Sequence, residues 1–416
     1  MDGNERAAEE SVAGKERRAI VIGGSMSGLL SALLLRRKGW RVDIYERVEG
    51  ELSGRGAGIV AQPELIARLE GLGLNTGDLG VRISRRQILG ADARITDELA
   101  CPQVATAWER VYRLLRDAFA PEHYHRGRSL KELTQDAASV TAHFADGEMV
   151  SGNVLVGADG IRSTVRQHLA PEVAPLYAGY VAWRALIAEE AIPPETHRAI
   201  FEIMSFGLPP GEQFLSYPVA GPDNDVRPGH RRSNVIWYRP ADEAGKLKWL
   251  LTDAQGRTHD VSIPPPLIRA EAIAEMKDAA ERLLAPPFRE LVQLMGEPLL
   301  QPIYDLASPR MAFGRVALVG DAAFVARPHV GAGVSKAADD AATLASALAA
   351  TDDVERGLKD FEAARLPENR RIIDWARHLG AYLQATQTQE EKASAGRHAT
   401  DAAVIKETAT LDFLYA

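Results

Sequence analysis

A glycine-rich turn near the start of the chain limits its possible folds more than any other feature. Residues 20–30 read IVIGGSMSGLL, in which a short apolar run meets a tight turn, and residues 29–38 (LLSALLLRRK) have a helical pattern. Gly39 ends this helical stretch, and WRVDIY at residues 40–45 resumes as an apolar strand. Strand, turn, helix and strand in this order predict a βαβ unit that opens a parallel sheet.

The turn has the residues that a phosphate-binding site needs. In such a unit the first glycine makes the tight turn and the last lets the helix pack on the strand, roles that Gly23 and Gly28 can fill. Ser25 stands where a middle glycine is usual, but its hydroxyl can donate to a phosphate oxygen, and the helix start attracts the same anion. Glu46 ends the second strand, where an acid accepts hydrogen bonds from ribose hydroxyls; the alternative is an exposed strand end. This unit alone predicts a dinucleotide, either NAD or FAD.

A second glycine-rich segment favours FAD. Residues 315–348 read RVALVGDAAFVARPHVGAGVSKAADDAATLASAL, in which a strand delivers Asp321 at its carboxyl end and Gly331 and Gly333 precede a helix. A helix start can stabilise negative charge on a reduced flavin, and Asp321 can accept a hydrogen bond from a ribityl hydroxyl. Because nicotinamide needs neither feature, we expect FAD.

The chain resembles the FAD-dependent aromatic hydroxylases, which are single-component flavin monooxygenases with the p-hydroxybenzoate hydroxylase fold. The resemblance rests on residues 23–46, on LVGADGIRSTVR at residues 155–166 and on GDAAFVARPHVGAG at residues 320–333. Within the family, RGAGIVAQPEL, GYVAWRALI and VSIPPPLIR are most similar to the pyridine hydroxylases. Short alternating runs between about residues 177 and 238, separated by turns rich in proline and glycine, independently suggest an antiparallel sheet that covers a cavity.

The resemblance implies an α/β fold with three parts. A Rossmann-like FAD-binding domain would comprise residues 15–80, 103–175 and 297–380, and an inserted antiparallel-sheet domain for the substrate would comprise residues 81–102 and 176–296. Residues 381–416 would form a helical tail with an apolar end at residues 411–415, which would either dock or fray.

The resemblance also implies which residues bind FAD. In many relatives an arginine stands where this chain has Trp108, and Arg113 is the candidate to replace its contact. The implied cofactor-binding set is Gly23, Ser25, Met26, Ser27, Gly28, Glu46, Arg47, Arg55, Gly58, Gln62, Arg113, Leu130, Asp159, Asp321, Pro328, Gly331, Gly333 and Val334.

The implied chemistry is hydroxylation of an electron-rich aromatic or N-heteroaromatic ring. NADH or NADPH would reduce the flavin, O2 would add to give a C4a-hydroperoxide, and water would have to be excluded. Candidate catalytic groups are Tyr217 and His329, although aromatic residues in strands are more often ordinary core. The substrate-binding set adds Trp183, Met204, Phe206 and Tyr238 to these two. The alternatives are a flavin-dependent reductase or oxidase and a non-catalytic FAD-binding redox sensor.

Composition excludes several other classes of partner. The formal net charge of −8 offers no basic surface for a nucleic acid or an anionic membrane. The spacing of the ten histidines and of the single cysteine, Cys101, fits no zinc motif, so no metal site is expected. The polar start, which reads as a disordered leader, and the absence of a long apolar run suggest a cytoplasmic protein. The sequence leaves the oligomeric state open, and a homodimer is possible by the resemblance.

Overall fold

The computed structural model describes residues 17–52 and 58–410. The predicted leader, Arg55 with its neighbours at 53–57, and the apolar end at 411–415 lie outside the described residues. Within the described ranges no helix is long and apolar enough to cross a membrane.

The described residues form the following strands and helices. The strands are β1 (Arg18–Ile22), β2 (Arg41–Glu46), β3 (Gly58–Ala61), β4 (Val81–Leu89), β5 (Ile95–Ala107), β6 (Tyr124–Arg126), β7 (Leu130–Gln135), β8 (Val140–Phe144), β9 (Met149–Gly152), β10 (Val154–Gly157), β11 (Leu176–Ala188), β12 (Met204–Gly207), β13 (Gln213–Val219), β14 (Arg232–Pro240), β15 (Leu299–Ala307), β16 (Ala312–Phe313), β17 (Val316–Leu318) and β18 (Phe324–Val325). The helices of six or more residues are α1 (Met26–Arg37), α2 (Pro63–Gly71), α3 (Trp108–Ala118), α4 (Thr164–Leu169), α5 (Ala270–Leu283), α6 (Pro286–Gln293), α7 (Gly333–Ala349), α8 (Val354–Gly380), α9 (Gln389–His398) and α10 (Asp401–Glu407). Shorter helical turns include Gly320–Ala322 and Pro328–Val330.

The predicted βαβ unit is present and forms the centre of a parallel sheet. Its strand order is β16-β17-β10-β1-β2-β6, with only the edge strand β16 antiparallel to its neighbour. Strand β1 pairs with β2 on one side, Val21 opposite Ile44, and with β10 on the other, Ile20 opposite Leu155. Near-continuous apolar runs suit such strands because helices cover both faces of a parallel sheet. Helices α1 and α7 pack against each other, which brings the two glycine-rich segments together.

The second sheet has nine strands in the order β18-β15-β11-β14-β13-β12-β4-β5-β3 and is mostly antiparallel. One face packs on α5 and α6 in a core that includes Trp183, Trp237 and Phe288. The opposite face carries Phe206 and Tyr217. A small third sheet, β7-β8-β9, is antiparallel.

These two main sheets confirm the predicted α/β class with C-terminal helices. The large sheet, however, takes β3, β15 and β18 from the predicted cofactor-binding segments. The domain boundaries therefore stay a prediction, and the two sheets share chain segments rather than following each other.

Candidate active site

The turn between β1 and α1 contains two glycines at which any side chain would clash with neighbouring backbone atoms. Gly23 has a φ of +104°, and a Cβ on it would lie 2.4 Å from the Ala158 carbonyl oxygen. A Cβ on Gly28 would lie 1.9 Å from the Gly23 carbonyl oxygen. The backbone therefore comes close to both neighbours, as a dinucleotide turn requires.

Glu46 has a structural role that the sequence did not reveal. Its two carboxylate oxygens accept hydrogen bonds from the Gly24 N–H at 2.8 Å and the Val48 N–H at 2.9 Å. The side chain is buried and lines the cavity beside the turn. Glu46 thus fastens the glycine turn to the end of β2 at the position where a ribose would be bound.

A cavity of about 480 Å³ lies over this turn and collects most of the predicted cofactor residues. Ser25 precedes α1 in an extended conformation, and its side chain makes no hydrogen bond to the helix start, so its hydroxyl is available to a ligand. The predicted residues that line the cavity are Gly23, Ser25, Met26, Ser27, Glu46, Arg47, Leu130, Asp159, Asp321, Gly333 and Val334. Gly28 lies beneath it, in contact with Gly23.

Asp159 presents a buried oxygen that lacks a protein partner. Its Oδ2 accepts hydrogen bonds from the N–H groups of Thr164 at 2.7 Å and Val165 at 3.2 Å, at the start of α4. Its Oδ1 is buried with no hydrogen-bond partner among the described residues. Burial raises the pKa of this carboxyl, opposed by hydrogen bonds from Ser163 and the backbone. A buried polar atom of this kind fits a cofactor hydroxyl better than it fits a plain core.

Asp321 meets the glycine turn as the FAD hypothesis requires. A Cβ on Gly320 would lie 2.1 Å from Ser27 Oγ, so the two turns touch. The Gly320 N–H donates to Asp340 Oδ2 at 3.0 Å, which ties this turn to α7. Asp321 is exposed to the cavity, and protein encloses it on its other sides. This enclosure raises the pKa of the Asp321 carboxyl, whereas the positive charge of Lys336 lowers it. The donor and acceptor groups of the cavity therefore fit FAD.

Arg113 is not part of this cavity. It forms ion pairs with Glu109 at 2.7 Å and with Asp223 at 3.4 Å, and its side chain is half exposed. The structure thus corrects the expectation that Arg113 replaces the arginine of the relatives. Trp108 and Arg128 line the cavity instead, and neither was in the predicted set. Arg128 lies in a loop without a recognisable motif, so no pattern predicted its position.

A second cavity of about 190 Å³ adjoins the first, and Gly333 and Val334 line both. The nine-stranded sheet provides one wall and residues 326–334 provide another. The predicted residues that line it are Gly58, Gln62, Met204, Phe206, Tyr217, Tyr238, Pro328, His329, Gly331, Gly333 and Val334. Both the predicted cofactor-binding set and the predicted substrate-binding set thus contribute to this cavity.

Trp183 does not line this cavity. It is buried on the opposite face of the sheet, in the core that packs on α5 and α6. Its neighbour Arg184 lines the cavity instead. Successive side chains of a strand point to opposite faces, so an error of one residue selects the wrong face.

His329 is buried between the cavity and Tyr180. Its Nε2 lies 2.8 Å from the Tyr180 hydroxyl, and its Nδ1 has no hydrogen-bond partner among the described residues. Burial, with a smaller contribution from Arg327, lowers the pKa of His329 to about 3. The imidazole is therefore neutral at any ordinary pH. Burial raises the Tyr180 pKa well above its usual value, so its hydroxyl keeps its proton.

Positive charge dominates the second cavity. Its lining includes Arg86, Arg184 and Arg327 and no carboxylate among the described residues. Arg327 pairs with Asp305 at 2.9 Å, whereas Arg184 has neutral partners, Gln301 Oε1 at 2.8 Å and the Gly58 carbonyl at 3.4 Å. An anionic ligand would therefore be stabilised beside Arg184.

Tyr217 and Tyr238 face this same arginine. Burial raises the pKa of both hydroxyls, that of Tyr238 to about 12, and the charge of Arg184 opposes the shift. Both residues are thus hydrogen-bonding phenols rather than phenolates at neutral pH. A Cβ on Gly58 would lie 2.9 Å from a Tyr217 ring carbon, so glycine lets β3 approach this wall closely.

Glu189, His197 and Glu202 form the only group within the described ranges whose atoms are spaced for a metal ion. Arg231 hydrogen-bonds to both carboxylates, with distances of 2.7 Å to Glu189 and 2.5 Å to Glu202. The group is therefore explained as an ion pair that supports β14.

Comparisons with known proteins identify the family. Two family profiles match, an FAD binding domain-like family over residues 177–305 and an FAD binding domain family over residues 302–376. A 2,6-dihydroxypyridine 3-monooxygenase from Paenarthrobacter nicotinovorans is 34% identical over 371 residues, which cover 88% of this chain and 91% of the relative. A 3-amino-4-hydroxybenzoate 2-monooxygenase from Streptomyces cremeus is 27% identical over 88% of this chain and 87% of the relative.

A solved structure shows the same architecture. The 2,6-dihydroxypyridine-3-hydroxylase from Arthrobacter nicotinovorans superposes with a TM-score of 0.84 at 32% identity, covering 90% of this chain and 95% of that one. Sequence identity, fold and site agree with the resemblance found in the motifs. The chain therefore belongs to the FAD-dependent aromatic-ring monooxygenases of the p-hydroxybenzoate hydroxylase type.

Proposed function

We propose that the protein hydroxylates a hydroxypyridine, or a single ring of very similar size and charge, at the expense of NADH or NADPH and O2. The observation that carries this proposal is the small, positively charged, aromatic-lined cavity that adjoins the FAD cavity at Gly333 and Val334. The 34% identical relative, which is named for 2,6-dihydroxypyridine, supports the choice of ring.

The size of the cavity favours one six-membered ring. Its volume is about 190 Å³. A cavity of about 150 Å³ can enclose benzene, whereas sites for drug-sized ligands measure about 300–1,000 Å³. A ring with two hydroxyl groups therefore fits.

The charge of the cavity favours a ring that binds as an anion. Arg184 has neutral hydrogen-bond partners and no carboxylate lines the cavity within the described ranges. A deprotonated ring hydroxyl would be stabilised there by a charge-assisted hydrogen bond. Deprotonation raises the electron density of the ring, which electrophilic oxygenation requires.

His329 and Tyr217 would orient the ring. Neutral His329 offers its free Nδ1 either as a donor or as an acceptor, depending on which partner of the His329–Tyr180 hydrogen bond donates. With a pKa of about 3, His329 is a weak base, so it positions a hydroxyl better than it removes a proton. Tyr217 can donate from the opposite wall because its hydroxyl stays protonated.

The cofactor would be held by the residues of the larger cavity. Ser25 and the start of α1 would bind the pyrophosphate, Glu46 a ribose, and Asp321 and Asp159 hydroxyl groups of the ribityl chain and its surroundings. FAD, when bound, accepts a hydride from NAD(P)H and activates O2 for transfer to the ring. The contribution of the protein is to hold the ring in place and to keep water out.

The test is a comparison of ring classes with the FAD-loaded enzyme. We expect 2,6-dihydroxypyridine and other hydroxypyridines to stimulate NAD(P)H consumption and to gain one oxygen atom by mass spectrometry. Rings without a hydroxyl group should stimulate it less, because they offer Arg184 no anion to stabilise. Consumption without an oxygenated product from any ring would favour the alternatives, a flavin-dependent reductase or oxidase or a redox sensor.

Two further expectations belong to the same proposal. A single cysteine in 416 residues is consistent with a reducing, cytoplasmic location. A homodimer is proposed by the family resemblance, and light scattering of the purified protein would test it.

A further inference from the structure

The C-terminal segment of the described chain packs against the smaller cavity. Helix α10 begins after Thr400, whose side chain accepts from the Ala403 N–H, and it buries Val404 and Ile405 to 2% and 3% exposure. These two residues belong to the same apolar cluster as Tyr217, and Thr408, one residue beyond α10, lines the cavity itself. This segment, which lies beyond the last strand of the nine-stranded sheet in sequence, thus completes the cavity wall.

Arg86 on β4 fastens this segment. Arg86 is 2% exposed, and its guanidinium donates to Thr408 Oγ1 at 2.8 Å, to the Thr408 carbonyl at 3.1 Å and to the Ile405 carbonyl at 3.4 Å. Thr408 Oγ1 in turn donates to the Val404 carbonyl at 2.7 Å. The hydroxyl of Thr408 therefore uses both its donor and its acceptor capacity in this arrangement.

Neighbouring contacts support the same attachment. Arg86 Nε donates to Gln103 Oε1 at 3.0 Å, and Gln103 Nε2 donates to the Ala409 carbonyl at 2.8 Å. At the other end of α10, Thr96 Oγ1 donates to Asp401 Oδ2 at 2.5 Å. The segment is therefore held by a cluster of hydrogen bonds around Arg86 and Thr408 at one end and by an exposed hydrogen bond at the other.

We propose that residues 401–409 form a wall of the substrate cavity, and that Thr408, fastened by Arg86, is a positioning residue that keeps the cavity closed during turnover. This inference rests on the proposed hydroxylation and adds to it a specific means of excluding water. If the segment leaves, the guanidinium of Arg86 loses its acceptors on Ile405 and Thr408 and keeps only Gln103 Oε1, which favours the closed state.

The closed state matters because two reactions compete for the same reactants. In the coupled reaction NAD(P)H, a proton, O2 and the ring C–H give NAD(P)⁺, water and the ring C–OH. In the uncoupled reaction NAD(P)H, a proton and O2 give NAD(P)⁺ and hydrogen peroxide. Access of water to the cavity favours the second reaction. An opened wall should therefore change the ratio of hydrogen peroxide to hydroxylated product.

Three variants and a control test the proposal in the FAD-loaded enzyme. Thr408→Val keeps the shape but removes both hydrogen bonds of the hydroxyl, whereas Thr408→Ser keeps them. A chain that ends at residue 399 removes the wall. Thr386→Val makes the same chemical change at an exposed position between α8 and α9. The measured quantities are hydrogen peroxide and hydroxylated 2,6-dihydroxypyridine per NAD(P)H oxidised.

We expect Thr408→Val to raise the ratio of hydrogen peroxide to product about fivefold, the change in an open-to-closed equilibrium that one net hydrogen bond controls. The shortened chain should raise it further, while Thr408→Ser and Thr386→Val keep the wild-type ratio. The proposal is overturned if Thr408→Val couples as well as wild type, or if Thr408→Ser uncouples as much as Thr408→Val.

Quenching of the bound flavin's fluorescence by acrylamide provides a readout that does not need turnover. Thr408→Val should increase the quenching and Thr386→Val should not; equal quenching in both would contradict the proposal. Because it uses only single substitutions, this measurement tests the proposal even if the shortened chain fails to fold. If the wild-type enzyme hydroxylates no ring, the proposed function is wrong. The quenching measurement alone then tests whether residues 401–409 close the cavity.

Discussion

The buried imidazole of His329 makes stability depend on pH in a way that can be worked out. Its pKa falls from 6.5 to about 3 because burial, aided by Arg327, disfavours the charged form. In the unfolded chain the same ring binds a proton below pH 6.5. The folded state is therefore fully stabilised by this residue above pH 6.5, and the contribution is lost as the pH falls toward 3.

The magnitude follows from the proton count. Between these two pKa values the unfolded state binds one more proton than the folded state, so the free energy of unfolding falls by ~1.4 kcal/mol per pH unit. From pH 8 to pH 5 the loss assigned to His329 is ~2 kcal/mol, because only the part below pH 6.5 counts.

Urea unfolding of the FAD-saturated protein at pH 8 and pH 5 measures this loss. The variant His329→Gln cannot titrate but offers an amide to Tyr180, and His230→Gln removes an exposed histidine as a control. Between pH 8 and pH 5, the free energy of unfolding of wild type and of His230→Gln should each fall by ~2 kcal/mol more than that of His329→Gln. Equal losses in wild type and His329→Gln would refute the claim that His329 is buried and neutral.

Three further substitutions address the two cavities. Gly28→Ala should cost ~3 kcal/mol of stability or more and abolish FAD retention, because its Cβ would meet the Gly23 carbonyl at 1.9 Å; denaturation and the flavin spectrum measure both. Asp321→Asn should weaken FAD binding by about tenfold through loss of a charge-assisted hydrogen bond, and unchanged affinity on flavin titration would argue against that contact. Arg184→Met should raise KM by about 10- to 100-fold and move the rising limb of the pH–rate profile to higher pH, since the bound hydroxyl loses the cation that favours its deprotonation.

Local patterns predicted part of the larger cavity, although they missed Trp108 and Arg128. Gly23, Gly28 and Glu46 lie within one βαβ unit, where the backbone itself sets which residue types can occupy each place. The segment that contains Asp321 is equally local, and its contact with the first turn follows from the packing of α7 on α1. Such features depend on residues that are close in sequence, so a local motif is enough to predict their conformation.

The substrate cavity depended on contacts that no local pattern encodes. Tyr180 and His329 are 149 residues apart, and Arg86 and Thr408 are 322 residues apart. Trp183 was wrongly predicted to line the cavity in place of its neighbour Arg184. The sequence does not show which face of β11 the helices cover, because both faces of that strand are largely apolar. Long-range pairing, which sets those faces, was not readable from one sequence.

The central claim is that this chain transfers one oxygen atom from O2 to a small hydroxylated ring held beside its flavin. Turnover of 2,6-dihydroxypyridine by the FAD-loaded enzyme under isotopically labelled O2, in unlabelled water, tests it directly. We expect a product that carries one labelled oxygen atom. A product with oxygen from water, or NAD(P)H oxidation that yields only hydrogen peroxide with every hydroxypyridine, would contradict it.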